Sequence, residues 1–134
     1  MKFITVFTPA YNRAYCLHRV YESLLKQTNQ NFVWLIVDDG STDNTKELVA
    51  GWVKEQKLVI KYIYKANGGM HTAHNAAYKN IDTELNVCID SDDFMPISAI
   101  QNIFENWQKV KNDEAIAGLV GLDETIDGNL IGTK

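Results

Sequence analysis

The stretch Phe32-Val33-Trp34-Leu35-Ile36-Val37, followed at once by Asp38-Asp39-Gly40-Ser41, decides the fold. Six apolar residues in a row are typical of a parallel strand that is buried on both faces of a sheet. The aspartates and the glycine end the strand, and Thr42-Asp43-Asn44-Thr45 then supplies side chains that cap a helix. A strand that passes directly into a capped helix predicts one unit of an α/β sheet.

The chain on either side of this stretch repeats the alternation. The patterns predict strands at residues 3–8, 32–37, 59–64, 85–89 and 117–122, and helices at residues 16–27, 45–53, 71–79 and 96–110. Pro9 is expected to end the first strand, and Asp127-Gly128 is expected to form a hairpin turn into Leu130-Ile131. This order predicts right-handed βαβ units in a mostly parallel, Rossmann-like α/β sheet with helices on both faces.

Composition limits the class of protein. The 134 residues are enough for one domain with a sizeable core, and the net charge of −4 lacks the basic excess of a nucleic-acid surface. Cys16 and Cys88 form no CxxC pair, so no zinc site is predicted, and Cys88 is expected to be a buried small hydrophobe. No signal peptide or membrane-spanning stretch is visible, which favours a cytoplasmic location; peripheral attachment to the inner face of a membrane stays open.

Three loops carry polar residues at the carboxyl ends of predicted strands: Thr8 to Arg13, Asp38 to Ser41, and Asp90 to Asp93. The carboxyl ends of parallel strands lie at one edge of the sheet, where open α/β sheets bind ligands. The crowded carboxylates of the third loop repel one another unless a cation or solvent neutralises them. Mg²⁺ and Mn²⁺ accept such oxygen ligands together with phosphates. A solvated turn or a helix N-cap is the alternative.

Individual residues in these loops suit parts of a nucleotide. Tyr11 offers a flat face for a base, although an aromatic that closes the core is the alternative. Asp39 can accept a hydrogen bond from the imide N–H of uracil, or can act as a turn residue. Asn67-Gly68-Gly69 lets the backbone approach a ligand, or forms a plain turn. Arg13 can approach a phosphate or stay solvated.

Other motifs narrow the choice. His71 and His74 share a helical face, but no further ligand pattern accompanies them, so zinc is disfavoured. Asn75 can hold a loop or a ribose hydroxyl. The sequence contains no GxxxxGK[ST], GxGxxG or GxSxG motif, which disfavours ATPases, dinucleotide oxidoreductases and hydrolases. The residues alone therefore predict a nucleotide-diphosphate site with a divalent metal.

Six short segments occur in a fixed order. They are F-T-P-A-Y-N-R at Phe7 to Arg13, S-L-L-K-Q-T at Ser23 to Thr28, V-D-D-G-S-T-D-N-T at Val37 to Thr45, N-G-G at Asn67 to Gly69, A-H-N at Ala73 to Asn75, and D-S-D-D at Asp90 to Asp93. With this order and spacing, the chain resembles the nucleotide-binding half of family 2 glycosyltransferases, which have the GT-A fold. The match is collinear from Phe3 to about Pro96.

The resemblance implies roles for residues in these segments. The backbone from Thr8 to Ala10 and the side chain of Tyr11 would line the pocket for uracil or another base. Asp39 would hydrogen-bond the base, and Asp38 would support its loop. The nucleotide-binding residues predicted from the resemblance and from the loops themselves are Thr8, Pro9, Ala10, Tyr11, Arg13, Asp38, Asp39, Gly68, Gly69, Asn75, Asp90 and Ser91.

The acidic segment would serve the diphosphate. The resemblance implies that Asp90 contacts the ribose, that Asp92 binds Mg²⁺ or Mn²⁺, and that Asp93 supports the loop. The metal would neutralise charge on the leaving diphosphate. Many relatives have Arg where this chain has His74, which puts a phosphate contact from that position in doubt because His is close to neutral at pH 7.

The resemblance also implies a missing half. Members of the family invert the anomeric carbon with a carboxylate base that lies well downstream of the D-x-D motif, so the base is expected beyond residue 134. Asp123 and Glu124 match no family motif. Residues 1–134 are therefore expected to form the nucleotide-sugar-binding portion of the domain, without the acceptor-binding portion. The apolar surface left without that portion predicts self-association into a homo-oligomer.

The predicted function is that of an inverting, metal-dependent glycosyltransferase in surface polysaccharide synthesis. Its donor is expected to be a nucleotide sugar, in the first place a UDP-sugar, and its acceptor a glycan or a lipid-linked sugar. A non-catalytic nucleotide-binding module or an inactive fragment is the alternative. A nucleotidyltransferase is disfavoured, because Pro9-Ala10-Tyr11-Asn12 is not the glycine-rich, basic loop that such enzymes carry.

Overall fold

The computed structural model describes residues 2–121, 123–129 and 131. In chain order, the elements are β1 (Ile4–Ala10), α1 (Leu17–Leu25), β2 (Phe32–Asp38), α2 (Thr45–Glu55), β3 (Ile60–Tyr64), α3 (Met70–Asn80), β4 (Leu85–Cys88) and α4 (Ala99–Val110). The chain divides into two compact units, residues 1–101 and 102–134. None of the helices described is both long and apolar enough to cross a membrane.

The four strands form one sheet in the order β3-β2-β1-β4, and every neighbouring pair is parallel. The chain first builds outward from β1 through β2 to β3, and then returns to place β4 on the other side of β1. The strand order therefore reverses between β1 and β4. A reversal of this kind opens a crevice at the carboxyl ends of the strands, where sheets of this type bind ligands.

The central strands β1 and β2 are buried at every residue, as the apolar run in β2 predicts. On one face of the sheet, Phe7, Leu35 and Val37 pack with the small residues Ala73 and Ala77 of α3. These alanines let the helix approach the strands closely. The loop that precedes α3 is thereby held near the carboxyl ends of β1 and β2.

The opposite face is covered through an aromatic stack. Trp34 of β2 packs beside Trp52 of α2, with ring centroids 5.8 Å apart, and Tyr21 of α1 stacks on Trp52 at 4.3 Å. Helices therefore lie on both faces, and the predicted parallel α/β sheet is confirmed.

Pro9 does not end the first strand, contrary to the prediction: β1 continues to Ala10, and Pro9 pairs with Val37. The backbone carbonyl of Phe7 accepts a hydrogen bond from the N–H of Ile89, on the β4 side. Pro9 lies two residues further on and faces the same side, where the pairing with β4 already stops at Phe7 and Cys88. The missing N–H of Pro9 therefore costs no bond to β2.

The predicted strand at residues 117–122 is wrong for the part that the structure describes, because residues 117–121 form no strand. This segment is exposed, with Val120 96% accessible, so its apolar residues do not pack in a sheet. The predicted hairpin turn is present: the N–H of Thr125 donates to the carbonyl of Asn129, and Gly128 has a φ of +86°. Leu122 and Leu130 lie outside the described residues.

Cys88 is exposed, which corrects the prediction of a buried residue. The cause is the position of β4 at the edge of the sheet. Its residues alternate between half-buried and exposed, with Leu85 and Val87 directed inward and Asn86 and Cys88 outward. An apolar run thus predicted the strand correctly but did not show which of its faces would be covered.

Candidate functional site

A cavity of about 410 Å³ lies at the carboxyl edge of the sheet, next to the reversal of strand order. This volume is within the usual range for small-molecule sites. The cavity is lined by Pro9, Ala10, Tyr11, Arg13, Asp39, Asn67, Gly69, Met70, Ala73, Asp90, Ser91 and Asp92. All three polar loops predicted from the sequence therefore contribute to a single cavity in the first compact unit.

The loops after β1 and β2 are held together by Asn12. Its side-chain oxygen accepts hydrogen bonds from the backbone N–H of Thr42 at 2.7 Å and of Asp43 at 3.2 Å. Its own N–H donates to the hydroxyl of Ser41 at 2.9 Å. Asn12 has a φ of +54°, a left-handed conformation that Asn tolerates better than most residues. These contacts fix Tyr11, the preceding residue, at the mouth of the cavity.

Asp38 supports the loop that follows β2. Its buried carboxylate accepts hydrogen bonds from the N–H of Ser41 at 2.8 Å and from the hydroxyl of Tyr62. Burial and the neighbouring Asp38 carboxylate raise the pKa of Tyr62, so the phenol stays protonated and keeps donating. Asp38 therefore shapes the turn before Ser41 and lies outside the cavity lining.

Asp39 is the most extensively bonded residue of the cavity wall. Its carboxylate pairs with the ammonium of Lys65 at 2.5 Å and accepts the backbone N–H of Gly68 at 3.0 Å and of Gly69 at 2.9 Å. Burial on its own would raise the pKa of the Asp39 carboxyl, but these three donors favour the charged form more strongly, and the pKa is lowered. Asp39 is thus an ionised hydrogen-bond acceptor in the cavity wall.

The acidic loop lies at the other side of the cavity. Asp90, Asp92 and Asp93 are exposed and each offers a carboxylate oxygen, and these three oxygens lie within 4.8 Å of one another. The N–H of Asp93 donates to the carbonyl of Asp90 at 3.1 Å, which curls the loop into a turn. Converging carboxylate oxygens of this kind fit a hard divalent cation such as Mg²⁺ or Mn²⁺.

Helix α1 and the residue before it hold the acidic loop and the residues that follow it. The thiol of Cys16, which precedes the helix, donates to the carbonyl of Ser91. The hydroxyl of Ser23 accepts the N–H of Met95 at 3.1 Å, and the amide of Gln27 donates to the carbonyl of Pro96 at 2.6 Å. These contacts explain why polar residues interrupt the apolar pattern of the S-L-L-K-Q-T segment: they fix the exit of the acidic loop.

Most of the predicted site residues line the cavity, and four do not. Thr8 is buried in β1, where its hydroxyl accepts the indole N–H of Trp34 at 2.9 Å. Asp38 is buried, Gly68 is exposed and Asn75 is exposed on α3, and none of the three lines the cavity. The histidines of α3 do not join the acidic cluster: the ring of His74 packs edge-on against Phe7 at 4.9 Å.

Sequence reasoning missed Met70, Ala73 and Lys65 as parts of the site. Met70 and Ala73 enter the lining because the first turn of α3 faces the cavity. Lys65 directly follows β3, so it lies at the same carboxyl edge as the other polar loops. The position of Lys65 directly after a predicted strand could have indicated this, because the carboxyl ends of parallel strands lie at the edge of the sheet where ligands bind.

Solved structures define the class of protein. The chain superposes on S. aureus TarS 1–349 in complex with UDP-GlcNAc, with a TM-score of 0.74 and 29% identity, covering 81% of this chain and 32% of the TarS 1–349 chain. The mannosyltransferase PcManGT from Pyrobaculum calidifontis, solved with GDP-Man and Mn²⁺, gives a TM-score of 0.71 at 24% identity, covering 84% of this chain and 33% of that one, and shows the fold alone. The fold is GT-A, as predicted.

The chain belongs to glycosyl transferase family 2, whose family model matches residues 5–126. It is 32% identical over 126 residues to the glycosyltransferase GlyG of Streptococcus pneumoniae serotype 4, which covers 94% of this chain and 42% of GlyG. The chain thus spans less than half of the length of this relative. The family predicted from the six segments is confirmed.

Proposed function

We propose that this chain forms the donor-binding part of an inverting glycosyltransferase that uses a nucleotide-diphosphate sugar, in the first place a UDP-sugar. One observation carries the proposal: a single cavity combines Tyr11 and the ionised carboxylate of Asp39 on one side with the carboxylates of Asp90 and Asp92 on the other. A base needs a flat apolar surface and a hydrogen-bond acceptor, whereas a diphosphate needs a cation.

The base side of the site favours a pyrimidine with an imide N–H. Tyr11 is half exposed at the mouth, so its ring is accessible to a base. Asp39 accepts but cannot donate hydrogen bonds, because it is ionised. The choice of UDP is supported by TarS, which is 27% identical in its UDP complex and 29% identical in its UDP-GlcNAc complex. Pro9, Ala10 and Gly69 complete this wall.

The acidic side is proposed to hold Mg²⁺ or Mn²⁺ through Asp92, with Asp90 directed to the ribose and Asp93 supporting the loop. Their converging oxygens and exposure support this assignment. When bound, the cation would act as a Lewis acid that neutralises the diphosphate leaving group. Asp90 and Asp92 also line the cavity, so a metal here would be within reach of the bound nucleotide.

Arg13 is proposed to approach the phosphates from the rim of the cavity. It lines the cavity, and its guanidinium donates to the hydroxyl of the exposed residue Tyr15. A guanidinium has five N–H donors, so it can bind a phosphate oxygen while it keeps this contact. Thr8, Asp38 and Gly68 would act by supporting the cavity wall.

The base that activates the acceptor is proposed to lie beyond residue 134, and the acceptor is proposed to be a glycan or a lipid-linked sugar of a surface polysaccharide. Among its relatives, the chain is 29% identical to the poly(ribitol-phosphate) β-N-acetylglucosaminyltransferase TarP of Staphylococcus aureus. A nucleotide-binding module without catalysis is the second candidate. The chain spans 42% of the length of GlyG and 38% of the length of TarP.

Calorimetric titration of UDP, with and without Mn²⁺, tests the donor site. We expect metal-dependent binding in the wild type and its loss in Asp92→Ala. The matched control is Asp82→Ala, because Asp82 is an exposed aspartate that precedes β4, at the opposite edge of the sheet. If neither UDP nor GDP binds in the presence of Mn²⁺, the proposed donor site is wrong.

Turnover tests the proposed position of the acceptor base. The chain of residues 1–134 is incubated with UDP-sugars and added glycan acceptors. We expect UDP binding without sugar transfer, because the acceptor base is proposed to lie outside this chain. Robust transfer by residues 1–134 would contradict that placement of the base.

A further inference from the structure

Lys65 has no role in the proposed chemistry, yet all three of its N–H donors are used. Its ammonium donates to Asp39 Oδ1 at 2.5 Å, to the carbonyl of Ala66 at 2.7 Å and to the hydroxyl of Thr72 at 2.8 Å. An ammonium offers three donors, so the set is complete. The side chain is mostly buried, 21% exposed, and Asp39 opposite it is 7% exposed.

The register of the sheet brings Lys65 and Asp39 together. Asp38 of β2 pairs with Tyr64 of β3, so the next residue of each strand continues side by side past the end of the pairing. The N–H of Lys65 donates to the carbonyl of Asp38 at 2.9 Å, which extends this alignment by one step. The contact is therefore fixed by the backbone as well as by charge.

The pair controls the loop that precedes α3. Asp39 Oδ1 accepts both the Lys65 ammonium and the N–H of Gly68, while Oδ2 accepts the N–H of Gly69. The hydroxyl of Thr72, which accepts from Lys65, donates in turn to the carbonyl of Gly69 at 2.7 Å. Lys65 thus reaches the loop from two directions, through Asp39 and through Thr72.

The side chains of Thr72 and Lys65 pack closely against this loop. A Cβ atom at Gly68 would lie 2.8 Å from Thr72 Oγ1 and 3.2 Å from Lys65 Nζ. Lys65 itself does not line the cavity, whereas Asp39 and Gly69 do. Its influence on a ligand must therefore pass through these two residues.

We propose that Lys65 is the positioning residue of the base side of this site: it holds the Asp39 carboxylate and the Gly68-Gly69 backbone as a preformed wall. The role in ligand binding rests on the proposed function. Removing Lys65 leaves a buried carboxylate without its counter-ion, which favours rotation of Asp39 toward solvent and release of the two glycine amides. Binding then has to restore the wall, and affinity falls.

The first test needs no ligand. Hydrogen exchange of the Gly68 and Gly69 amides is compared in wild type, Lys65→Met, Lys65→Gln and Lys57→Met. Lys57 is the matched control, because its 3.2 Å pair with Glu55 is exposed on both sides. We expect exchange of the two amides to accelerate about tenfold in Lys65→Met, less in Lys65→Gln, and not at all in Lys57→Met.

Unchanged exchange at both glycines in Lys65→Met would overturn the proposal. If that variant does not fold, the exchange of both glycine amides is measured in Lys65→Gln, which keeps an N–H donor and most of the side-chain length. Unchanged exchange in Lys65→Gln would then overturn the proposal.

The second test is UDP affinity at saturating Mn²⁺. If the wild type binds UDP, we expect about tenfold weaker binding in Lys65→Met, with the Mn²⁺ concentration for half-saturation unchanged. Equal UDP affinity in the two proteins would overturn the role of Lys65 in ligand positioning. If the wild type binds neither UDP nor GDP, the proposed function fails, and the exchange experiment still decides whether Lys65 holds the wall.

Discussion

The thiol Sγ of Cys16 lies 3.4 Å from the backbone carbonyl oxygen of Ser91, and both residues are buried. The contact joins the start of α1 to the acidic loop, across 75 positions of sequence. The geometry of the loop therefore depends on a side chain that is not part of it.

Cys16→Ala is expected to reduce the free energy of unfolding by about 1–2 kcal/mol, because it removes buried volume and the donor to Ser91. Urea denaturation measures this change. The matched control is Cys88→Ala, whose thiol is exposed and whose replacement should stay within about 0.5 kcal/mol of wild type. Equal effects of the two substitutions would show that the Cys16 contact is not important for stability.

Gln27→Ala is expected to reduce the free energy of unfolding by roughly 1–3 kcal/mol. The side chain is buried, and its oxygen accepts the N–H of Ile100 at 3.1 Å while its amide donates to Pro96. The substitution removes the acceptor of the Ile100 N–H and one donor to the carbonyl of Pro96, which keeps the N–H of Ala99 at 3.0 Å. Gln108→Ala, at an exposed position of α4, is the control and should be close to neutral. Thermal denaturation compares the stabilities of the two variants, and similar midpoints would contradict the expectation.

Gly40→Ala and Gly51→Ala are expected to act in opposite directions. Gly40 has a φ of +84°, and a Cβ atom there would lie 2.7 Å from the backbone nitrogen of Asn67, so we expect a loss of about 2 kcal/mol or more. Gly51 lies within α2, and a Cβ atom there would point into open space, so alanine should stabilise the helix by up to about 1 kcal/mol. Chemical denaturation of the two variants tests the pair, and a shift of the same sign in both would be inconsistent with it.

Tyr21 is expected to make stability depend on alkaline pH. Burial, together with its 2.7 Å hydrogen bond to Glu55, raises the pKa of Tyr21 to about 12 from its ordinary value of 10.0. The fold favours the protonated phenol, so this contribution is complete below pH 10 and is lost as the pH rises from there toward 12. The free energy of unfolding should therefore fall more steeply over this range in wild type than in Tyr21→Phe.

Denaturant titrations of the two proteins at several pH values measure the difference directly. Tyr62, whose pKa is also raised, is present in both proteins, so its contribution to the free energy of unfolding cancels in the comparison. Parallel pH profiles for wild type and Tyr21→Phe would refute a shifted pKa at Tyr21.

The alternation of strands and helices was predictable from the sequence, because its signals are local. The apolar run from Phe32 to Val37 differs by one residue from the strand observed, Phe32–Asp38. The segment 117–121 and Cys88 were interpreted wrongly for a common reason. Hydrophobicity predicts that a segment can pair or be buried, but whether other parts of the chain pair with it or cover it depends on the whole fold.

The polar loops of the site were predictable because parallel strands share one carboxyl edge. The Lys65–Asp39 contact was not, because it joins residues 26 positions apart and depends on the register of β2 and β3. The continuation of β1 through Pro9 has a similar origin. Which side of a strand lacks a partner cannot be inferred from the strand itself.

The stack of Tyr21, Trp34 and Trp52 has a spectroscopic consequence. Three chromophores from α1, β2 and α2 lie with their ring centroids 4.3–6.2 Å apart and their planes within 29° of parallel. Transition dipoles at this spacing couple, so the near-ultraviolet circular dichroism should contain an exciton contribution. Excitation energy should also transfer efficiently from Tyr21 to the indoles of Trp34 and Trp52. Docking of these two helices onto the sheet during folding can therefore be followed optically, without any attached label.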